Sequence, residues 1–417
     1  MAELVHPVPA EEIPGWSRSM AAGFLGDPHD AQAQRGIDQL RRRWEPSRAW
    51  GARDHGRWVA TLRTETRALT VPGNDGSTRD LEVDALTNVT VSATHRRRGL
   101  MRAMLAQSLQ AAWERGDPLS ILIAAEWPIY GRFGYAPAVL SADYVLRRTR
   151  IGATLTGEPG RVRHVERDEF GELATPVYAA ARGGRAGQID RSETWWNRVL
   201  GRDGYPPFPG LPHHWLIHEG EDGPDGLLGW KADGDGGLMP PLGQMTVWDL
   251  ATASDEAYRN LWAYLAGIDG SDEVRLPLRP VDEPVRWLLH DARTLVMTQH
   301  VDFVWLRLLD VPVALSSRAY AVAGEVVLEV ADGDGGRFTA GRYRLSADGV
   351  SALCERTDDP ADLELTQRAL ASIYLGGFRL AGLALGGGVL RERTPGALAR
   401  TDAMFATGLA PWNSTWF

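Results

Sequence analysis

Several features are scarce in this chain of 417 residues, and each scarcity narrows what it can be. Cys354 is its single cysteine, so no disulfide can form within the chain, and we expect a reducing cytoplasm. A buried inert thiol is a better interpretation of Cys354 than a nucleophile, because no histidine lies near it in sequence. No run of about 18 apolar residues occurs, so we expect no transmembrane helix. The first residues are acidic and interrupted by prolines, unlike a signal peptide.

Positive charge is also in short supply, since the net charge is −9 and the pI is about 5.6. Nucleic-acid binding needs a basic surface that neutralises phosphates, so a nucleic-acid partner is not expected. The acidic balance suits a cationic substrate such as a polyamine. The metal-binding patterns HExxH and paired CxxC do not occur, so the sequence predicts no metal site.

Residues 1–150 have the pattern of a mixed α/β unit. Strands are predicted at residues 57–71 and 81–93, and a buried strand follows from residue 119. Between them, apolar residues recur every three or four positions and predict a helix. This helical face consists of Leu100, Met101, Met104, Leu105, Ser108, Leu109 and Ala112. The order strand, helix, strand is typical of a βαβ crossover.

Composition changes place two further boundaries along the chain. A loop-like segment near residue 150 separates a second unit at residues 151–296, and a third unit spans residues 297–417. In this third unit we predict a strand entering a helix at residues 301–315 and a hairpin at residues 324–345. We also predict a helix at residues 361–377, and the chain ends in a helix followed by an aromatic tail.

A basic turn lies between the second predicted strand and the patterned helix. It consists of Arg96-Arg97-Arg98-Gly99, here called the arginine turn. Free backbone N–H groups at a helix N-terminus bind anions, glycine lets backbone approach a phosphate, and arginine adds charge-assisted hydrogen bonds. Alone, such a turn is more often only a solvated basic loop, but its position between a strand and a helix favours a phosphate site.

The segment LTNVTVSATHRRRGLMRAML closely resembles the acetyl-CoA motif of GNAT acetyltransferases, V-x-V followed by R/Q-x-x-G-x-G/A. Met101 departs from the small last residue of that motif. The resemblance implies that acetyl-CoA is bound by Val89, Val91, Arg96, Arg97, Arg98, Gly99, Leu100 and Met101. No metal is implied.

A second segment, AAEWPIYGRFGYAPA at residues 124–138, resembles the Eis type (enhanced intracellular survival) of GNAT acetyltransferase in actinobacteria. The aromatic end Thr415-Trp416-Phe417 also resembles that family. The resemblance implies an α/β fold in three parts, with a GNAT domain, a degenerate GNAT-like domain and a C-terminal domain similar to a sterol carrier protein. It also implies a homo-oligomer, a hexamer.

The resemblance also assigns roles in catalysis. Tyr130 matches the general acid, the backbone N–H of Val89 polarises the thioester carbonyl, and the terminal carboxylate of Phe417 acts as the base. Tyr135 is interpreted as structural. Glu126 either binds the substrate ammonium or orients Tyr130, or simply ends a strand.

The expected function is transfer of acetyl from acetyl-CoA to a primary amine by direct attack. The amine could belong to a polyamine, an aminoglycoside or a lysine. Asn88, Trp127 and Trp416 depart from common family residues and, with Glu126, are candidates for the amine pocket. Two alternatives stay open, a non-catalytic protein that binds CoA or lipid and an acyltransferase for longer acyl chains.

Overall fold

The protein is described here from a computed structural model, which covers residues 2–29, 31–147, 155, 157–158, 161–202, 214–233, 243–331 and 338–417. Within these residues the chain forms three β-sheets, called below the N-terminal, central and C-terminal sheets. The sequence also predicts Pro/Gly turns at residues 204–212 and Gly-rich turns at residues 233–237 and 332–336, and all of these residues except Asp233 lie outside the described residues.

The first part of the chain supplies most of the N-terminal sheet and its helices. Its elements are β1 (Glu3–Val5), α1 (Ile13–Gly23), α2 (Ala31–Arg42), β2 (Ala49–Asp54), β3 (Arg57–Pro72), β4 (Thr78–Val91), α3 (Leu100–Glu114), β5 (Leu119–Ile123), α4 (Trp127–Tyr130) and β6 (Ala136–Pro137). The predicted stripe of α3 is buried at six of its seven positions, and only Met101 is partly exposed. Its burial against the sheet stabilises α3 where helix propensity alone would not.

The middle of the chain forms the central sheet. Its elements are β7 (Leu140–Arg147), β8 (Val162–Val165), α5 (Arg167–Arg182), α6 (Glu193–Val199), β9 (His214–Gly220), β10 (Gly223–Asp233), β11 (Gly243–Thr252), α7 (Asp255–Gly267), β12 (Ser271–Arg279) and β13 (Leu295–Asp302). The strand order is β13-β7-β12-β11-β10-β9-β8. β11 and β12 are parallel and joined by α7, which repeats the β4-α3-β5 crossover of the first sheet.

The last part of the chain contributes one strand to the N-terminal sheet and then forms the C-terminal sheet. Its elements are β14 (Val304–Leu308), α8 (Val311–Ser316), β15 (Gly324–Val330), β16 (Gly341–Ala347), β17 (Ala352–Arg356), β18 (Leu363–Leu365), α9 (Gln367–Ile373), α10 (Leu380–Ala384), β19 (Val389–Glu392) and α11 (Ala397–Phe405). The predicted hairpin is confirmed as β15 paired antiparallel with β16. The helix predicted over residues 361–377 is wrong in its first half, because Leu363 and Leu365 pair with β15 as strand β18.

Strand pairing crosses the predicted domain boundaries. The N-terminal sheet has the order β1-β2-β3-β4-β5-β14-β6, so β14 lies between two strands from the first 150 residues. β7 in turn pairs with β12 and β13 of the central sheet. All five residues of β14 are buried, which is typical of an interior strand whose two faces are both covered. The boundaries near residues 150 and 296 stay predictions. β7 and β14 each pair with strands from a different predicted unit.

The chain end crosses back from the C-terminal sheet to the other two. The backbone N–H of Trp412 donates to the carbonyl of Ala186 at 2.9 Å, and its indole Nε1 donates to the carbonyl of Leu278 at 2.7 Å. Asn413 is fully buried, and Thr415 is 1% exposed. The predicted aromatic tail is therefore an ordered, hydrogen-bonded segment.

Asp84 organises the point where β4 meets β5. It is fully buried and accepts hydrogen bonds from Arg115 at 2.8 Å, Ser120 at 3.1 Å and Arg48 at 3.3 Å. These groups belong to β4, β5, the end of α3 and the turn before β2, so the carboxylate joins four segments. Arg48 is itself buried, and removing the carboxylate would leave its guanidinium without this partner.

We therefore expect Asp84→Ala to lower the free energy of unfolding by about 3–5 kcal/mol, the cost of breaking a buried ion pair. Urea unfolding followed by circular dichroism measures this. Asp38→Ala removes the exposed pair with Arg41 and should cost less than about 1 kcal/mol. Equal losses in the two variants would contradict the role given to Asp84.

Candidate active site

The site begins where two parallel strands separate. β4 and β5 pair only at Asp84 with Ser120 and at Ala85 with Ile121, although β4 continues to Val91. Beyond these pairs, the end of β4 and the segment after β5 line opposite sides of one cleft. A gap between parallel strands leaves main-chain N–H and C=O groups available to an extended ligand.

A bulge lies in β4 at this gap. Thr61 pairs with Thr90 and Arg63 with Thr87, so one residue of β3 faces both Asn88 and Val89. Asn88 has a φ of +56°, a conformation that asparagine tolerates better than most residues. Its carbonyl accepts a hydrogen bond from the Thr61 hydroxyl at 2.8 Å. The linings of two cavities meet at this bulge: Thr87 and Asn88 line one, and Val89, Thr90 and Val91 line the other.

The first cavity, here called the turn cleft, has a volume of about 870 Å³ and contains the arginine turn at one end. Gly99 has a φ of +80° and immediately precedes α3, so backbone N–H groups at the start of that helix face the cleft. Arg97 also has a positive φ, of +62°. The predicted residues that line this cleft are Val89, Val91, Arg96, Arg97, Gly99, Leu100, Met101, Glu126 and Tyr130.

The charge of the turn cleft suits a polyanion. Among the described residues its lining carries the guanidinium groups of Arg96, Arg97, Arg102 and Arg132 and a single carboxylate, that of Glu126. Arg102 and Arg132 were missed by the sequence analysis. Arg102 lies in the first turn of α3, where the helix dipole disfavours a cation unless an anion binds nearby, and that position is a usable sequence signal.

The arginine turn is attached to the neighbouring hairpin. His95 Nε2 lies 3.0 Å from a carboxylate oxygen of Asp54, and its Nδ1 lies 2.8 Å from the hydroxyl of Thr94. The hydrogen bond to His95 lowers the pKa of Asp54. With both ring nitrogens engaged, the segment that leads into the turn is held before any ligand arrives.

Tyr130 closes the other side of the turn cleft at the end of α4. Burial raises the pKa of Tyr130 to about 12, and the charge of Glu126 adds to the shift. Tyr135 contacts it edge-on, with ring centroids 6.2 Å apart, but is fully buried and shares a hydrogen bond of 2.7 Å with Ser120. The two tyrosines thus differ in access, because Tyr130 lines the cleft and Tyr135 lies behind it.

The second cavity, here called the tail cavity, has a volume of about 430 Å³ and contains the chain end. Trp416, Phe417 and Asn88 line it, and Phe24 lines both this cavity and the turn cleft. The Thr87 hydroxyl donates to a terminal oxygen of Phe417 at 3.2 Å. The chain end is therefore held one residue from the bulge of β4.

Two predicted residues lie apart from both cavities. Arg98 is exposed on the arginine turn, and Trp127 is 55% exposed and packs edge-on against Trp305 at 5.0 Å. Neither is among the described residues that line the turn cleft or the tail cavity. The structure otherwise brings residues 88–101, 126–130 and 416–417 together around one end of β4.

A row of charged residues on β3 also lines the tail cavity and was not predicted from the sequence. Arg63, Glu65 and Arg67 alternate along the strand, so they share one face, and all three line the tail cavity. Arg43 and Arg198 line it too. Charges at every second position of a predicted strand were the available signal, whereas Arg43 and Arg198 come from distant helical regions and had none.

A reactive cysteine, a metal site and a membrane-spanning helix find no support in the described parts of the chain. Burial raises the pKa of the Cys354 thiol to about 12, which leaves little thiolate at neutral pH. No group of three His, Cys, Asp or Glu side chains within the described ranges is arranged to hold a metal ion. No helix there is long and apolar enough to cross a membrane.

Comparison with known proteins agrees with this geometry. An acetyltransferase (GNAT) domain model matches residues 5–138, a second model of the same description matches residues 187–308, and a sterol carrier protein domain model matches residues 311–414. The fold and the turn cleft thus define a GNAT acetyltransferase with two GNAT domains and a sterol-carrier-like domain. The predicted three-part α/β architecture is confirmed.

Relatives narrow the family. An uncharacterized N-acetyltransferase of Streptomyces avermitilis is 35% identical, over 98% of this chain and 97% of its own. The N-acetyltransferase Eis of Mycobacterium bovis is 34% identical over 81% of each chain. The crystal structure of Eis1 from Mycobacterium abscessus has a TM-score of 0.85 at 29% identity, with both chains fully covered. The chain belongs to the Eis-type N-acetyltransferases, as the sequence predicted, and is an enzyme of that class.

The β4-α3-β5 and β11-α7-β12 crossovers differ in whether the start of the helix suits an anion. GNAT acetyltransferases use acetyl-CoA, and the turn cleft fits its phosphates because it contains a helix start without a side-chain cap and is lined by four arginines. At α7 the Ser254 hydroxyl already accepts from the N–H of Ala257, and Asp255 and Glu256 occupy the first turn. The start of α7 is thus capped and negatively charged, which disfavours a phosphate.

Gly99→Ala tests the turn cleft as the cofactor site. A Cβ on Gly99 would enter open space at the start of α3, where the phosphates are expected. We expect the dissociation constant for CoA to rise about tenfold or more, which corresponds to about 1.4 kcal/mol. Isothermal titration calorimetry measures it.

Gly116→Ala is the matched control, because Gly116 follows the same helix, has a φ of +84° and also faces open space. Both substitutions should cost the same stability, about 1–2 kcal/mol for alanine in a left-handed conformation. Equal CoA affinities in the two variants would show that Gly99 does not approach the cofactor.

Proposed function

We propose that this enzyme transfers the acetyl group of acetyl-CoA directly to a primary amine, with both substrates bound at once. The observation that carries the proposal is that the turn cleft and the tail cavity share Phe24 and adjoin the same bulge of β4. A phosphate-binding cleft on one side of the bulge and a cavity with a carboxylate on the other suit a donor and an acceptor that react across it.

The bulge supplies the first catalytic group of the proposal. The backbone N–H of Val89 follows the left-handed Asn88 and lies in the turn cleft lining. Directed at the thioester carbonyl, this donor stabilises the oxyanion that develops when an amine attacks. The proposal extends to Val91, Leu100 and Met101 as apolar contacts for the cofactor arm and to Arg96 and Arg97 as phosphate contacts.

Tyr130 is the proposed hydrogen donor to the leaving sulfur. Its pKa near 12 keeps the phenol protonated throughout the neutral range. A thiol has a pKa of about 8.5, so the phenol stabilises the developing thiolate mainly through a hydrogen bond, and full proton transfer is uphill. Glu126 shares this cleft, and its negative charge helps to keep Tyr130 neutral.

The terminal carboxylate of Phe417 is the proposed base. An alkylamine is protonated at neutral pH and must lose a proton before its lone pair can attack. The terminal carboxylate takes this first proton and passes it to water. The neutral nitrogen then bonds to the acetyl carbon, the carbon–sulfur bond breaks, and the sulfur leaves as a thiolate that accepts a hydrogen bond from Tyr130. The nitrogen loses its second proton to water and water protonates the thiolate, so the products are the amide and the CoA thiol. The contact between Thr87 and Phe417 supports this role, because it holds the chain end beside the bulge.

The proposal includes a homo-hexamer, which rests on the resemblance to Eis-type proteins alone. It also includes a cytoplasmic location, which rests on the single cysteine of the chain. Analytical ultracentrifugation of the purified protein measures its mass, and a monomer would exclude the hexamer.

Tyr130→Phe should lower kcat about 100-fold, since it removes a hydrogen-bond donor that acts on the leaving group. The dissociation constant for CoA should change little. Release of free thiol from acetyl-CoA with a responsive amine measures the rate. Tyr135→Phe, behind the cleft, should keep kcat near that of the unsubstituted enzyme. A rate unaffected by Tyr130→Phe would remove this tyrosine from the mechanism.

Deletion of Phe417 moves the chain-terminal carboxylate back by about 3.5 Å, the length of one residue. We expect kcat at pH 7 to fall about tenfold or more, and the loss to shrink at pH 9, where more amine is already deprotonated. Phe417→Leu keeps the carboxylate in place and should retain most activity. A shortened chain as active as Phe417→Leu would exclude the terminal carboxylate as the base.

A further inference from the structure

Tyr130 belongs to a short turn that meets the turn cleft on one side. This segment, residues 130–135, is here called the tyrosine turn, and a hydrogen bond of 3.4 Å from the backbone N–H of Tyr135 to the carbonyl of Tyr130 closes it. Tyr130, Arg132 and Phe133 line the turn cleft. The helix before the turn, α4, has only four residues and is too short to hold its shape by its own hydrogen bonds. The position of the Tyr130 side chain therefore depends on what supports the turn from behind.

The support is the start of α9, in the part of the chain that matches a sterol carrier protein domain. A Cβ added to Gly134 would lie 2.8 Å from the side-chain amide of Gln367. A Cβ added to Gly131 would lie 3.3 Å from the guanidinium carbon of Arg368. Both distances are below the separation of about 3.5–4.0 Å that nonbonded carbon atoms prefer, so glycine at these two positions lets α9 approach the tyrosine turn this closely.

Gln367 is fixed where it meets the turn. It is 5% exposed and begins α9, whose start is held by a hydrogen bond of 3.1 Å from the N–H of Ala369 to the hydroxyl of Thr366. Its Nε2 donates to the carbonyl of Leu308 at 3.5 Å. Among the described residues its buried Oε1 has no hydrogen-bond partner, a cost that an apolar side chain would avoid. Stability alone therefore does not explain a glutamine at this position.

A second support comes from β14. Arg307 on this strand is 2% exposed and donates a hydrogen bond to the carbonyl of Phe133 in the tyrosine turn. The next residue of the strand is Leu308, which accepts the hydrogen bond from Gln367. The tyrosine turn is thus held from behind by two segments that both lie beyond residue 300.

We propose that the start of α9 holds Tyr130 in its catalytic position and that Gln367 is a positioning residue for the reaction. The inference rests on the proposed role of Tyr130 as the hydrogen donor to the leaving sulfur. A misplacement of about 1 Å can lower an enzymatic rate about 100-fold, so a residue that does not touch the substrate can still control kcat. The sterol-carrier-like part of the chain then serves the site twice, since its end lines the tail cavity and α9 supports the turn cleft.

Gln367→Ala removes the amide that lies against Gly134. We expect kcat for thiol release from acetyl-CoA with a responsive amine to fall about tenfold, and the dissociation constant for CoA to change less than about twofold. Isothermal titration calorimetry measures the second quantity.

Thr401→Ala is the control for a loss of stability. Thr401 is fully buried in the same part of the chain, and its hydroxyl donates to the carbonyl of Ala397 at 2.8 Å within α11. This variant should lower the melting temperature and keep kcat near that of the unsubstituted enzyme.

A double-mutant cycle with Tyr130→Phe separates positioning from general damage. If Gln367 acts through the phenol, Gln367→Ala should cost less than about twofold in kcat when Tyr130→Phe is already present. The same tenfold loss in both backgrounds would overturn the inference.

Gly134→Ala disturbs the same contact from the side of the turn and serves if Gln367→Ala does not fold. Gly134 and Gly116 have φ values of +80° and +84°, so alanine is equally strained at both, but a Cβ on Gly116 would meet open space. We expect Gly134→Ala to lower kcat about tenfold and Gly116→Ala to leave it near that of the unsubstituted enzyme. Equal rates in these two variants would contradict the support by Gln367.

The outcomes distinguish this inference from the proposed function. An unchanged kcat in Tyr130→Phe would contradict the proposed role of the tyrosine and, with it, the role of Gln367. A slow Tyr130→Phe enzyme together with an unaffected Gln367→Ala enzyme would overturn the inference alone and leave the proposed function intact. A Gln367→Ala enzyme that loses only affinity for CoA, with kcat unchanged, would overturn it as well.

Discussion

The early separation of β4 from β5 is the constraint on which the site depends. Pairing stops at Ala85 and Ile121 while β4 continues to Val91, so the last residues of β4 do not pair with β5. Asp84 marks the point of separation through its buried contacts with Arg115, Ser120 and Arg48. If the strands stayed paired as far as Val91, the turn cleft between them would close.

The bulge at Asn88 lies between two cavities that share Phe24 in their linings. The left-handed Asn88 marks where the lining of one cavity ends along β4 and the lining of the other begins. Val89 then lines the turn cleft while Asn88 lines the tail cavity. The proposed donor and acceptor sites thus lie on either side of one main-chain irregularity, which keeps them adjacent.

The central part of the chain supports the site and does not form a second phosphate-binding helix start. The central sheet has the same crossover as the first, but the start of α7 is capped by Ser254 and carries two acidic residues. Its contribution is mechanical: Tyr178 on α5 shares a hydrogen bond of 2.8 Å with Thr415, and Ile189 donates to Asn413. These contacts hold the tail, so the central sheet acts on the site by fixing the position of Phe417.

Features that depend on residues close together in the chain could be predicted from the sequence. The α3 helix, the strands before and after it, and the arginine turn follow from periodicity and from glycine at a left-handed position, which are local properties. The assignments of Tyr130 and Phe417 came from resemblance, because nothing in their local sequence distinguishes a catalytic group from a packed one.

Other features depend on segments that are distant in sequence, and sequence patterns do not record which segments meet. The sequence predicts a strand entering a helix at residues 301–315, but only the tertiary structure decides that this strand, β14, joins the first sheet between β5 and β6. Leu363 and Leu365 form a strand because β15 offers them hydrogen bonds. The charge of the tail cavity arises likewise from α6, β3 and the end of α2 coming together. By itself the sequence determined the local elements and the family, because these depend on residue order. The tertiary structure decided the tail cavity, because the residues that line it become neighbours only on folding.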